Sequence, residues 1–326
     1  MPNVPVTEIE ATTRRALLRR GASEPVAASL ADAVARAEAT ANPVCGLYYL
    51  ESYCAQLGTG RVRGDAAPVV SRPRPGTVRV DAADGFAQPA FLAALPEALR
   101  AVREIGVASL AIERAHTCTA LGWFTERLAR EGAIGIGMTN ASPIVAPPGG
   151  RRRVIGTNPI AFAVPDGAGG VAVAFDQSTT QVALGRITMA KAAGRSIPEG
   201  WALDAEGRPT TDPEAALAGS LASAGAHKGW GLGVMVELLA AGMTGGRLSR
   251  DVAPLKAPRG EPHGLGQYFL LIDPEASEAF GERLAGLVAE VEADGAGRLP
   301  GRGRPPADAV DVPDELWASV RALASD

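Results

Sequence analysis

With 326 residues, 46% of them hydrophobic and 21% charged, the chain has ample apolar material for a large core, and its length suits one large or two modest domains. A formal net charge of -4 leaves no positive excess to neutralise phosphates, and the arginines are scattered or locally balanced, which argues against a nucleic-acid partner. The cysteines, Cys45, Cys54 and Cys118, are odd in number and lack metal-ligand spacing, so they fit a reducing compartment such as the cytoplasm better than a disulfide framework or a metal site.

Met1-Pro-Asn-Val-Pro5 has no basic segment leading into an apolar run, so neither a secretory nor a transit signal is expected. Thr7 and Glu10 have capping-box spacing before a first helix, and Ser23-Glu-Pro25 opens a second with Val26, Leu30 and Val34 on one face. Pro and Gly punctuate 72–76, placing a domain boundary near residue 70. Val78-Arg-Val-Asp81 follows, and Pro89 can start a helix carrying Phe91, Leu92, Leu95, Leu99 and Val102. From Val107 the pattern becomes strand (107–112), helix (Leu121, Phe124, Leu128) and strand (133–139). Short strands fit 160–164, 171–175 and 268–272, which implies an α/β fold with a mostly buried, mixed sheet. The most apolar window, 229–243, is too short to span a membrane, contains Glu237 and reads as a buried helix. The Gly/Pro/Arg-rich stretch 295–306 reads as a connector before a terminal helix with Leu316, Trp317, Val320 and Leu323.

Standard motifs are missing. Gly229-Trp-Gly-Leu-Gly233 and Gly301-Arg-Gly303 do not satisfy the Rossmann glycine fingerprint, and there is no G-x-S-x-G elbow. His116, His227 and His263 are too scattered for a metal cluster. Pattern alone stops at an α/β enzyme.

Several uncommon strings carry more. They are Val80-Asp-Ala-Ala-Asp-Gly-Phe-Ala-Gln-Pro89, Ala146-Pro-Pro-Gly-Gly150, Gly156-Thr-Asn-Pro159, Ile197-Pro-Glu-Gly-Trp-Ala-Leu-Asp204, Gly207-Arg-Pro-Thr-Thr-Asp-Pro213 and His227-Lys-Gly-Trp-Gly231. In this order, over roughly residues 5 to 325, they resemble the type-2 malate/lactate dehydrogenase family, which includes ketimine reductases for piperideine-2-carboxylate and pyrroline-2-carboxylate. The resemblance implies an L-sulfolactate-dehydrogenase-like, non-Rossmann α/β domain at 71–305 that binds NAD(P). It also implies a helical, substrate-side domain from 1–70 and about 306–326, a homodimer, and a small-molecule substrate held between the domains, while the charge and the short apolar window argue against nucleic acid and membrane as partners.

Residue by residue, the resemblance places cofactor contacts at His116, Thr117, Cys118, Thr119 and Ala120, between a strand and a helix where backbone N-H groups can meet phosphate. It adds Asp176, Gln177 and Ser178, with Asp176 suited to ribose hydroxyls or the carboxamide, and His227 and Lys228, where Lys228 can pair with phosphate. Read without the family, His227 and Lys228 are a solvated loop. Arg302 and Arg304 fall in a basic Pro-Gly stretch where pairing with an extra phosphate would favour NADP over NAD, and a soluble Gly-Arg linker is the equal alternative.

The catalytic segment departs from the family. Where the family reads Ser-His-Gly-Leu and, one residue later, Arg, this chain reads Val44-Cys45-Gly46-Leu47-Tyr48-Tyr49. Ten residues after Asp176, where relatives carry an acid or a lysine, it has Arg186. Hydride addition to C=O or C=N needs a proton source and a clamp for developing charge. The candidates are Cys45 and Tyr49 for the proton, Arg186 for the anion, and Tyr48 and Thr157 for substrate contact. Cys45 is equally readable as a small apolar filler. The leading expectation is an NAD(P)-dependent oxidoreductase of a small polar carbonyl or imine. Its rivals are a cofactor-binding homologue using Cys45 as a nucleophile or acid/base in non-redox or biosynthetic chemistry, with Arg186 supporting a thiolate, and a non-catalytic binding homologue.

Overall fold

The structure, a computed structural model, describes residues 1–302 and 305–325. Arg304, one of the two arginines expected near the cofactor, lies outside the described residues.

The chain opens with β1 (Asn3–Pro5), α1 (Val6–Arg19), α2 (Glu24–Ala39) and α3 (Leu50–Thr59). The expected Thr7/Glu10 capping box does not form. Asn3–Pro5 is already committed to a strand, so the helix starts at Val6, whose N-H donates to Asp308 O at 2.8 Å. Ser23 does precede α2, and Val26, Leu30 and Val34 are buried as their spacing requires.

The sheet segment follows: β2 (Val69–Arg74), β3 (Thr77–Asp81), α4 (Ala87–Ile105), β4 (Val107–Ala115), α5 (Gly122–Arg130), β5 (Ile134–Thr139), β6 (Ile160–Pro165) and β7 (Val171–Gln177). Next come α6 (Leu184–Ala192), β8 (Ala202–Leu203), β9 (Pro209–Thr210), α7 (Pro213–Ala218), β10 (Ser220–Leu221), α8 (His227–Glu237), β11 (Leu265–Ile272) and α9 (Phe280–Ala293). The described chain closes with β12 (Ala309–Asp311) and α10 (Asp314–Ala324).

Seven strands form a mixed sheet in the order β2-β3-β4-β11-β5-β6-β7, in which only β3 and β4, joined through α4, run parallel as neighbours. Phe91 and Val102 of α4 and Phe124 and Leu128 of α5 bury one face of the sheet against Leu110, Ile112 and Phe269. Leu92 faces away and is exposed. The other core joins the chain ends: Ile9, Leu17, Leu30, Leu50 and Tyr53 pack with Trp317 and Val320 of α10, while β1 pairs antiparallel with β12. A three-stranded sheet, β10-β8-β9, caps a smaller core around Ile187 and Ile197.

The window expected to be a buried helix is α8 followed by a π-helical turn, Leu238–Gly242, and it is buried on one side only. Val236 and Ala240 pack on Met138 and Tyr268 of the sheet. Leu232, Met235, Leu238 and Met243, on the opposite side, are 40–60% exposed. No helix among the described residues is long and apolar enough to cross a membrane.

Candidate active site

Between α2 and α3 the chain makes two short 3-10 turns, Pro43–Cys45 and Leu47–Tyr49. Glu38, buried near the end of α2, holds them: its carboxylate accepts the Leu47 N-H at 2.7 Å. Burial raises the Glu38 pKa and that N-H opposes the rise. A Cβ on Gly46 would collide with the same carboxylate, so glycine lets the chain pass. The anchored loop presents Cys45 and Tyr49 toward the sheet segment.

Tyr49 packs between Tyr48 and Tyr53, with ring centroids 6.0 and 5.9 Å away. Thr119 Oγ1 donates to Cys118 O at 2.8 Å, which makes the Tyr53 hydroxyl the donor in its 3.2 Å bond to Thr119 Oγ1. Thr119 adopts a left-handed φ of 54°, a strained conformation for a β-branched residue. The half-buried Cys45 has its thiol pushed up to about 12 by burial and by the negative charge of Asp176, against a bond with Asn42. Burial, followed by the neighbouring Cys45, Tyr48 and Cys118, likewise pushes the Tyr49 phenol far above its ordinary value. Both groups are therefore protonated and uncharged at neutral pH. The charge acting on the Cys45 sulfur is that of Asp176, not the Arg186 guanidinium expected to favour a thiolate, which weighs against the nucleophile reading.

Asp176, near the end of β7, accepts the Gly122 N-H at the start of α5 at 2.8 Å. A Cβ on Gly122 would sit 3.1 Å from that of Asp176, so glycine permits the approach. The side chain keeps a solvent-facing edge, but the surrounding walls push its carboxyl up to about 6 against the N-H groups of Gly122 and Leu121. From Asp176 a cleft of about 1450 Å³ runs past Asn42, Phe175 and the turn at Pro300 to Arg298 and Arg302. Its floor depends on Gly301, at φ 80°, whose missing Cβ leaves room for the Ala174 backbone 2.9 Å away.

The other expected contacts divide. His116, Thr117, Cys118 and Ala120 are buried, and Thr119 is the part-exposed member of that segment. The N-H groups of Thr117, Leu121 and Gly122 are already taken, by His263 Nδ1 at 3.2 Å and by the Asp176 carboxylate. That carboxylate also opposes a phosphate at the start of α5, next to the expected segment. Gln177 is exposed, and Ser178 bonds Thr180. Thr157 is half-buried, with its carbonyl accepting from Thr179 N and Oγ1. Next to it, Asn158 donates to Glu237 Oε2 at 2.8 Å.

His227 and Lys228 open α8, are exposed and do not line the cleft. The preceding Ala226 carries a φ of 53°. Gly229 lies against the Thr179 carbonyl, where any Cβ would clash, and this brings the start of α8 beside the segment that follows Asp176. Arg186 is exposed on α6, one residue from Gly185, which packs on Val44. The structure thus gathers Cys45, Tyr48, Tyr49, Cys118, Thr119 and Asp176, with Arg186 at the edge and Arg302 at the far end of the cleft.

Sequence reasoning missed Asn42, Glu38, Arg298, Gln56 and Lys256. His116 Nε2 lies 2.6 Å from Gln56 Oε1, while Gln56 Nε2 donates to Leu255 O and Ala257 O at 2.7 and 2.8 Å. These two acceptors fix the Gln56 amide, so His116 Nε2 is the donor, and burial, which lowers its pKa well below the ordinary value, keeps the imidazole neutral. The His116 ring stacks on His263 at 3.9 Å. Among the described residues no cluster of His, Cys, Asp or Glu could hold a metal ion.

The family model for malate/L-lactate dehydrogenase matches residues 4–308. The delta(1)-pyrroline-2-carboxylate/delta(1)-piperideine-2-carboxylate reductase of Pseudomonas putida is 40% identical over 304 residues, covering 92% of this chain and 89% of the relative. The (2R)-3-sulfolactate dehydrogenase (NADP(+)) of Chromohalobacter salexigens is 41% identical, covering 86% and 85%. Among solved structures, the delta1-piperideine-2-carboxylate reductase of Pseudomonas syringae pv. tomato superposes with a TM-score of 0.90 at 35% identity, over 99% of this chain and 100% of that one.

Proposed function

The chain belongs to the malate/L-lactate dehydrogenase family of oxidoreductases, and from that we propose that it is an NAD(P)-dependent reductase of a small cyclic imino acid or 2-oxo acid with an altered proton-donor site. The observation that carries this reading is a cleft that runs from Asp176 to Arg298 and Arg302, with Cys45 close enough to Asp176 to feel its charge and Tyr49 beside Cys45.

The cleft fits a dinucleotide. It exceeds the roughly 300–1,000 Å³ usual for small-ligand sites, and its donors are graded from a carboxylate suited to ribose or carboxamide to guanidinium groups suited to phosphate. When bound, the nicotinamide supplies the hydride. Arg302, paired with Glu292 at 3.0 Å, and exposed Arg298 favour the extra phosphate of NADP. Lys228 lies outside the cleft lining, and with its own N-H committed to Gly225 O it is the exposed side chain that is available to extend toward a phosphate.

Tyr49 Oη-H and Cys45 Sγ-H are the proton donors. Both are weak acids here, so the site works best on a substrate that arrives with its proton, as a cyclic imine does when protonated, and Asp176 supplies the opposing charge. A 2-oxo acid must draw its proton from one of these groups and is the slower substrate. The helical layer of 1–70 and 306–326 carries the substrate side, and 71–305 the cofactor side. The exposed stripe Leu232, Met235, Leu238 and Met243 is the face for a second copy in a homodimer, which light scattering measures directly.

The test is steady-state oxidation of NADPH and NADH with delta(1)-pyrroline-2-carboxylate and with pyruvate. Faster turnover of the imino acid with NADPH is expected. Bound cofactor without turnover of either substrate overturns the reading.

A further inference from the structure

Residues 254–261, between α8 and β11, are clamped onto the end of α3. Buried Arg61 donates to the carbonyls of Pro254, Ala257 and Glu261, and Thr59 Oγ1 donates to Pro258 O at 2.6 Å. Gln56 holds the carbonyls on both sides of Lys256, those of Leu255 and Ala257, from a position fixed by His116. A surface lysine ordinarily carries its ammonium into water. This one turns back: Nζ lies 3.0 Å from the Tyr48 ring centroid and 5.0 Å from that of Tyr49, and donates to Tyr48 O at 3.0 Å.

Among the described residues it has no ion pair within 4.0 Å. Of the cations of the neighbouring cleft, Arg36 is paired with Glu126 and Arg302 with Glu292, while Arg298 is exposed at the far end. We propose that Lys256 is the anion-holding residue of the substrate site, pairing with the carboxylate of the substrate across the Tyr48 and Tyr49 rings. This rests on the reductase reading above and names a specificity-determining side chain for it. Lys256 is exposed as a residue, its ammonium is partly desolvated beside the two rings, and it adjoins the loop that bears Cys45. An arriving carboxylate therefore gains a charge-assisted hydrogen bond without displacing a protein carboxylate. Burial lowers the Lys256 pKa to about 8, opposed by Glu51, which leaves it charged at pH 7.

The test uses 2-furoate, a planar carboxylate that lacks a reducible C=N, and its neutral amide, 2-furamide. Binding to the NADPH-loaded protein is measured by calorimetry for wild type, Lys256→Met, which keeps the stem over Tyr48, and Lys256→Arg. We expect Lys256→Met to weaken 2-furoate about 10- to 100-fold, to leave 2-furamide unchanged, and Lys256→Arg to restore much of the loss. KM for delta(1)-pyrroline-2-carboxylate should rise with the furoate constant while kcat changes less. Unchanged furoate affinity in Lys256→Met, equal weakening of both ligands, or no furoate binding to wild type overturns the proposal. Turnover by wild type with a Lys256-independent KM removes this role and leaves the reductase reading standing. Lys256-dependent furoate binding without turnover of any imine or 2-oxo acid does the reverse.

Discussion

Cys45 separates a proton donor or apolar filler from a nucleophile, and alkylation tells them apart. Its thiol stands at about 12 against an ordinary 9.0. At pH 8 that lowers the thiolate fraction about 1,000-fold, while the greater intrinsic reactivity of a more basic sulfur returns about 20- to 30-fold, leaving alkylation about 40-fold slower than for an open thiol. Incomplete exposure slows it further. Iodoacetamide at pH 8, quenched over time and read by mass spectrometry of the Cys45 peptide against a short reference peptide, gives the ratio directly. Asp176→Asn removes the charge that raises the thiol and should accelerate the reaction, without restoring the rate of the reference because burial is the larger cause. A Cys45 that reacts as fast as the reference would refute this reasoning and revive the nucleophile reading.

Tyr49→Phe should lower kcat for a 2-oxo acid about 100-fold, lower it less for the cyclic imine, and leave NADPH affinity unchanged in a fluorescence titration. Gln56→Leu leaves His116 Nε2 and the Leu255 carbonyl without their bonds, while Ala257 O keeps Arg61; urea unfolding should show a loss of about 2–5 kcal/mol, and a loss under 0.5 would contradict the network. Acid should destabilise the fold through the stacked histidines. Burial depresses His263 from 6.5 to about 3 and His116 in the same direction, so the unfolded chain binds protons that the native one refuses. Their contribution is complete above about pH 6.5 and falls with pH, by about 2 kcal/mol for His263 at pH 5, and a His263→Phe variant should flatten that dependence in urea titrations from pH 8 to pH 5.

The sheet was legible because its strands are short apolar runs set off by turn residues, as at 107–112 and 133–139, and α2 because its period and Ser23 agreed. The short strands β8, β9 and β10 have two residues each and carry no period to read. The Thr7 capping box failed because Asn3–Pro5 pairs with a strand some 300 residues away, information that local spacing does not hold. The exposed side of α8 escaped for a related reason: a helix apolar all round reads as buried whether the covering surface is its own chain or another. In the site, Cys45, Tyr49 and Asp176 were found by resemblance and brought together by the fold. Lys256 was invisible because its significance lies in the rings it touches, about 200 residues earlier in the chain.

The most direct test of the account is titration of the purified protein with NADPH and with NADH, following nicotinamide fluorescence, in wild type, Lys228→Ala and Arg302→Ala. Saturable NADPH binding is expected, weakened in both variants, with Arg302→Ala costing NADPH about tenfold and NADH little. Absence of any fluorescence change with either nucleotide would contradict the assignment of the cleft between Asp176 and Arg302 to a nicotinamide cofactor.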